Sequence, residues 1–230
     1  MTLKGILSEK GLLNRDRTSR LLLASLVLFF ILAPLLEGRE IGRIILILNL
    51  YVTLVAATME LAESPVLFRC AIPIAVCSMV LLWVNHYHPT PSLAMASGIV
   101  LAAFLILVSV SLYNYLGRDS AVSKGRLYAS VGLYFMLGLS WFAIYYVINI
   151  LQPGSFTEQG VPLPIDVHWS TLLYFSLTTL TTLGYGDIVA VKPVARMIAT
   201  LEAASGVLYV AITVARLVAS THTEKTHDQQ

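Results

Sequence analysis

The residues of this chain best placed to do chemistry are Thr181-Thr182-Leu183-Gly184-Tyr185-Gly186-Asp187. Two glycines flanking one aromatic residue allow backbone conformations that residues with a Cβ avoid, so successive carbonyls can face a common axis. Four copies around that axis would stack rings of oxygen from Thr182, Leu183, Gly184 and Tyr185, closed on the outer side by Gly186. Such rings can replace the hydration shell of a cation, and the Thr182 hydroxyl adds one more ring at the inner end. The plain alternative is an ordinary turn whose glycines supply positive φ angles. Context weighs against it, because the loop follows a Thr- and Ser-rich helical stretch, His168–Leu183, and precedes a long apolar run.

A second candidate is Glu202, an ionisable residue within an apolar stretch, where charge is costly and marks a functional position by default. Gly206 follows it by one helical turn, so both share a face. If that face meets the helix before the loop, the carboxyl is expected to hydrogen-bond Thr178, Thr181 or a buried water behind the loop, and its proton occupancy to influence what passes. Thr181 and Thr213 are further polar points for a cavity below the loop, and Arg216 is expected to snorkel to headgroups or to line an inner gate. Glu60, Glu63 and Arg69 read as solvated loop charges or an interfacial ion cluster. His86 and His88 form an H-x-H turn without further nearby ligands. Cys70 and Cys77, seven residues apart, fall on one helical face and suit neither a disulfide nor a metal site.

The elements that must position these residues are apolar. Of 230 residues, 57% are hydrophobic and 12% charged, and the mean hydropathy is +0.78. This is a membrane composition. Apolar segments run Leu21–Leu36, Ile44–Leu61, Val66–Val84, Leu93–Tyr115, Leu127–Leu151 and Ala195–Ala215, each near the ~20 residues that cross the hydrocarbon core. The shorter His168–Leu183, opening after a possible cap at Asp166, reads as a re-entrant helix. No A-x-A site follows the first run, which reads as a retained span. With an even span count the termini share a side, and cytoplasmic termini leave eleven Lys and Arg inside against Arg39, Arg43, Lys192 and Arg196 outside. A multi-pass cell-membrane protein with both termini cytoplasmic is therefore expected. The net charge of +2 is small and scattered, and no basic run interleaved with aromatics suggests nucleic acid.

From Trp169 to Gly206 the chain resembles the pore module of potassium channels: an aromatic- and Thr-rich pore helix, the T-x-G-Y-G-D loop of Thr182 to Asp187, then an inner helix. The resemblance implies a passive potassium-selective channel with K+ bound at Thr182, Leu183, Gly184 and Tyr185, K+ being the permeant ion and no cofactor being needed. It implies a gating-hinge role for Gly206, twenty residues beyond Gly186, beside the plain role of close helix packing. Asp187 would concentrate cations at the outer mouth and brace Tyr185, with Tyr174 and Trp169 as candidate bracing partners. Some channels of this family carry an acid four residues before the first filter threonine; Thr178 stands there, so a carboxylate network behind this filter is wired differently. One loop per chain requires a homotetramer or mixed tetramer.

The expected architecture is all-α and integral to the membrane: six transmembrane helices, a re-entrant pore helix and a filter loop, assembled as a tetramer. Its parts are a cytoplasmic segment 1–20, a four-helix peripheral domain 21–116, a linker 117–126, a pore domain 127–220 and a cytoplasmic tail 221–230 too short for a ligand-binding domain. Voltage-gated relatives place arginines at every third position of the fourth span, but Ser92 through Tyr115 hold no Lys or Arg. Each charge moved through the field is worth about 2.3 kcal/mol per 100 mV, so steep voltage gating lacks its energy source. Protons, lipids, tension, an unidentified ligand or simple leak are the remaining stimuli. The first four spans suit shielding of the pore and assembly within the lipid better than ligand sensing. Competing readings are an uptake-transporter subunit, which usually carries four degenerate loops in one chain, and a non-conducting assembly subunit. An enzyme fits least, because no P-loop, nucleophile–base pair or metal cluster accompanies the intramembrane polar residues.

Overall fold

The computed structural model describes the backbone of residues 3–36, 40–62, 64–117 and 124–227, and side chains within 16–36, 40–62, 64, 66–117 and 125–216. Glu63 and most of the linker lie outside the described residues. Among the described residues seven helices follow one another: α1 Leu3–Leu35, α2 Glu40–Glu60, α3 Pro65–Tyr87, α4 Pro91–Leu116, α5 Lys124–Leu151, α6 Trp169–Leu180 and α7 Pro193–His227. Six of them are long and apolar enough to cross a membrane, α6 being the short one. The first helix begins well before Leu21, and the last runs past Ser220, so the helical backbone outlasts the apolar stretches at both ends.

Prolines set several of these starts. Pro65 and Pro91 open α3 and α4, where a missing N–H costs nothing and the fixed φ is already helical. The Thr90 hydroxyl accepts from the Leu93 N–H at 3.3 Å as a side-chain cap. Apolar stripes then decide the packing. Leu22, Leu26, Phe29 and Ala33 of α1, at helical spacing, are buried, as are Leu101, Leu105, Val108 and Leu112 of α4. Both helices lie against α5, so the first four helices pack through α1 and α4 on the fifth helix of the same chain. Cys70 and Cys77 are free and exposed on α3.

One feature departs from a wholly helical expectation. Between α5 and α7 the strands β1 Phe156–Glu158, β2 Val161–Pro162 and β3 Ile188–Ala190 form a small antiparallel sheet in the order β2-β1-β3. Gln159 and Gly160 both take positive φ, 49° and 85°, the pair of angles a tight two-residue hairpin turn requires. Strands of two or three residues carry too little alternation to stand out in a sequence. The sheet matters because β3 begins at the residue after Asp187, so it anchors the outer end of the loop.

The start of α6 also differs from expectation. Asp166 is not its cap: His168 holds that position in extended conformation, with no side-chain cap bond. The helix end is held by packing, since Leu172, Leu173 and Phe175 are buried.

Candidate functional site

The loop Thr181–Asp187 leaves the C-terminus of α6 and is tied to it through its N–H groups. Thr182 N–H donates to the Thr179 carbonyl at 2.9 Å, and Leu183 and Gly184 N–H both donate to the Thr178 carbonyl, at 2.8 and 3.1 Å. The otherwise unsatisfied carbonyls of the helix end thus take up the loop's donors. Through the loop φ alternates in sign: Thr182, Gly184 and Gly186 are positive at 58°, 52° and 80°, while Leu183 and Tyr185 are not. Alternation of this kind turns consecutive peptides the same way, so N–H groups collect on the helix side and carbonyls on the other. The partial negative charge of the helix C-terminus adds to that of the carbonyls.

Apart from the Asp187 carbonyl, which bonds the Gln159 N–H, the loop lies open. Residues 181 to 187 are all exposed, Tyr185 at 70% and Leu183 at 55%. Most of α7 is uncovered as well, 11% of its apolar stretch being buried against 56% for α5. A single chain therefore presents the loop and the inner helix as one open apolar and carbonyl-bearing surface.

Asp187 is fixed from two sides. Its carbonyl accepts from the Gln159 N–H at 2.9 Å, and its carboxylate accepts from the Tyr174 hydroxyl at 2.8 Å. The Tyr174 bond holds the Asp187 carboxyl below the usual carboxylate range. Of the two partners expected from sequence, Tyr174 is the one whose side chain contacts Asp187 in this chain. The ring of Trp169 packs 6.5 Å from that of Phe142 of α5.

Behind the loop lies a packed layer. Tyr145 of α5, Phe156 of β1 and Phe175 of α6 form a triangle of edge contacts with centroids 5.4, 5.0 and 5.3 Å apart, each such pair adding about 0.5–1.5 kcal/mol beyond its buried area. Glu202 of α7, fully buried, completes this layer. The Ser176 hydroxyl lies 2.6 Å from Glu202 Oε1, and the Tyr145 hydroxyl bonds Oε2. The expected partners Thr178 and Thr181 are not used. Thr178 Oγ1 donates back to the Phe175 carbonyl at 3.0 Å and Thr181 Oγ1 to that of Leu177 at 2.7 Å. Helical phase explains the difference, since Ser176 sits two residues before Thr178 and faces α7. Neither Ser176 nor Tyr145 was singled out from sequence, although each is a polar group inside an apolar helix, which is a signal in itself.

Gly206 is a close-packing glycine. A Cβ there would stand 2.0 Å from the Leu180 carbonyl oxygen and 3.1 Å from Leu180 Cδ1. Helix α7 therefore crosses the end of α6 at a distance only glycine permits. Thr213 is half-buried, and the Tyr209 hydroxyl, one turn earlier, donates to the Ser130 carbonyl at 2.6 Å. The Arg216 guanidinium stacks 5.4 Å above the Tyr113 ring of α4, which joins the far end of α7 to the peripheral helices.

Residues 133–221 match the model of a family described as ion channel. The inward rectifier potassium channel Kirbac3.1 of Paramagnetospirillum magnetotacticum is 32% identical over 77 residues, which are 34% of this chain and 22% of that protein. The match thus spans about a fifth of the length of that relative. No solved structure matches the chain.

Proposed function

We infer, from a chain that belongs through residues 133–221 to the potassium-channel pore-module family, that it is the subunit of a tetrameric potassium-selective channel without conventional voltage gating. The observation that carries this reading is the sign alternation of φ from Thr182 to Gly186, with the first loop N–H groups drawn back onto Thr178 and Thr179. Four such loops would line an axis with carbonyls of Thr182, Leu183, Gly184 and Tyr185, in place of the water a potassium ion sheds. The exposed loop and the bare inner helix support a tetramer, because both are surfaces that an isolated chain leaves in contact with lipid or water. Asp187, braced by Tyr174 and the β1–β2 hairpin, adds negative charge at the outer mouth. Glu202, Thr178 and Thr181 support the filter from behind, and Gly206 either packs or bends as the inner helix moves. The surplus of Lys and Arg in the inner segments supports cytoplasmic termini. We assign no catalytic site.

The test is current from purified protein in planar bilayers under a potassium–sodium gradient. Wild type should reverse near the potassium equilibrium potential. Gly184→Ala should abolish selective current while the tetramer still forms, because a Cβ in the left-handed region costs about 1–2 kcal/mol per residue. Selectivity retained in that variant rejects the carbonyl mechanism. A silent wild-type membrane with the tetramer verified favours an accessory subunit.

A further inference from the structure

The contacts around Glu202 allow its protons to be counted. A serine hydroxyl carries one proton, a tyrosine hydroxyl one, and a backbone carbonyl none. Ser176 Oγ lies 2.8 Å from the Gly138 carbonyl oxygen and 2.6 Å from Glu202 Oε1. The Tyr145 hydroxyl meets Glu202 Oε2. An ionised Glu202 would leave two hydroxyl protons for these three oxygen–oxygen contacts. Ser176 would then bond either the carbonyl or the carboxylate, and the other close pair would be two lone pairs facing each other. One more proton, on Oε1, resolves the conflict. The chain then runs in one direction: Tyr145 donates to Glu202, Glu202 donates to Ser176, and Ser176 donates to the Gly138 carbonyl.

We propose that Glu202 is a proton-binding site and that its neutral carboxyl acts as a hydrogen-bond clamp, fastening the pore helix and the inner helix to the outer helix and so positioning the filter. The clamp starts and ends on α5, at Tyr145 and Gly138, two helical turns apart on one face. It passes through α7 and α6 on the way. Its contact on α6 is two residues before Thr178, whose carbonyl accepts from the Leu183 and Gly184 N–H groups, so a shift of Ser176 is carried directly into the filter. The surroundings favour the neutral form. From α5 the titratable groups facing Glu202 are Tyr145 and Tyr134. From α6 it is met by the Ser176 hydroxyl, and β3 brings only Ile188, Val189 and Ala190. No cationic side chain stands among its partners in the described residues. Glu202 is thus a positioning residue: it touches no permeant ion and acts through Ser176.

The role in conduction rests on the channel reading, while the protonation state does not, so the test measures both. Glu202→Gln keeps every contact, because the amide nitrogen donates to Ser176 and the amide oxygen accepts from Tyr145. Glu202→Leu keeps the bulk and breaks the relay. In purified tetramers in lipid, wild type should show the infrared carbonyl stretch of a protonated carboxylic acid at neutral pH, and Glu202→Gln should lack it. Glu202→Gln should retain wild-type thermal stability and potassium-over-sodium selectivity, whereas Glu202→Leu should lose both. Raising the pH until the acid band disappears should abolish selective current in wild type and spare Glu202→Gln. The proposal is overturned if wild type shows no acid band that Glu202→Gln removes, or if Glu202→Gln loses selectivity as Glu202→Leu does. If Glu202→Gln does not assemble, the wild-type band and its change in Tyr145→Phe still decide. An acid band in a tetramer that passes no selective current supports the neutral clamp and sinks the channel reading alone.

Discussion

Asp187 shows how one hydrogen bond sets a pH window at the mouth of the loop. Its carboxyl is held below its ordinary value chiefly by the Tyr174 hydroxyl. A depressed folded-state value means that the bond stabilises the loop above the ordinary carboxylate range, about 3.9 for aspartate. The contribution is lost as pH falls through the lower folded value. Tyr174→Phe removes the donor, so the loop of that variant should fail at a higher outer pH than wild type. Single-channel current recorded while the outer solution is acidified measures this; identical acid limits in the two proteins would mean that the bond does not brace the filter. The loop itself was legible as seven contiguous residues, because its chemistry belongs to the backbone and needs only the right glycines. Glu202 was legible as costly, and its partners were not: Tyr145 and Ser176 lie 57 and 26 residues away, a distance that only the meeting of three helices closes.

The crossing of α7 over the end of α6 is decided by the absence of a side chain. At Gly206 an added Cβ would press on the Leu180 backbone carbonyl, which has no rotamer with which to yield. Gly206→Ala should therefore destabilise the protein by the cost of overpacking, about 1–3 kcal/mol for each chain, and lower its thermal midpoint. An unchanged midpoint would show that the two helices can separate freely at this point. The six spans were legible from hydropathy, since each must present an apolar surface of fixed length. The cap of α6 was misjudged because Asp166 is the residue type a cap prefers, whereas the helix starts where packing of Leu172 and Phe175 fixes it. The β1–β2–β3 sheet is not legible because its strands are too short for a periodicity, and Gln159-Gly160 is not one of the dipeptides that mark a two-residue hairpin.

Across the whole molecule, the four peripheral helices rest on α5 through α1 and α4, and Tyr113 of α4 receives Arg216 from the end of α7. These contacts join both the start and the later part of the chain to α5 and α7. The fourth helix carries no Lys or Arg from Ser92 through Tyr115, and each missing charge withholds about 2.3 kcal/mol per 100 mV. Open probability should accordingly change little with voltage, as recorded from reconstituted tetramers over a wide range of steps. A steep conductance–voltage curve would require mobile charge somewhere other than α4.

What the sequence alone determined is whatever depends on neighbours along the chain: the length and apolarity of the spans, the glycine-bearing loop, the uncharged fourth span. Those properties follow from transfer into lipid and from backbone sterics, which act residue by residue. What only the tertiary structure decided is which polar groups meet. Ser176 rather than Thr178 reaches Glu202, Tyr174 rather than Trp169 reaches Asp187, and Leu180 excludes a Cβ at Gly206. Each depends on the rotation and crossing of packed helices, and a change of one residue in helical phase, about 100°, exchanges one partner for another.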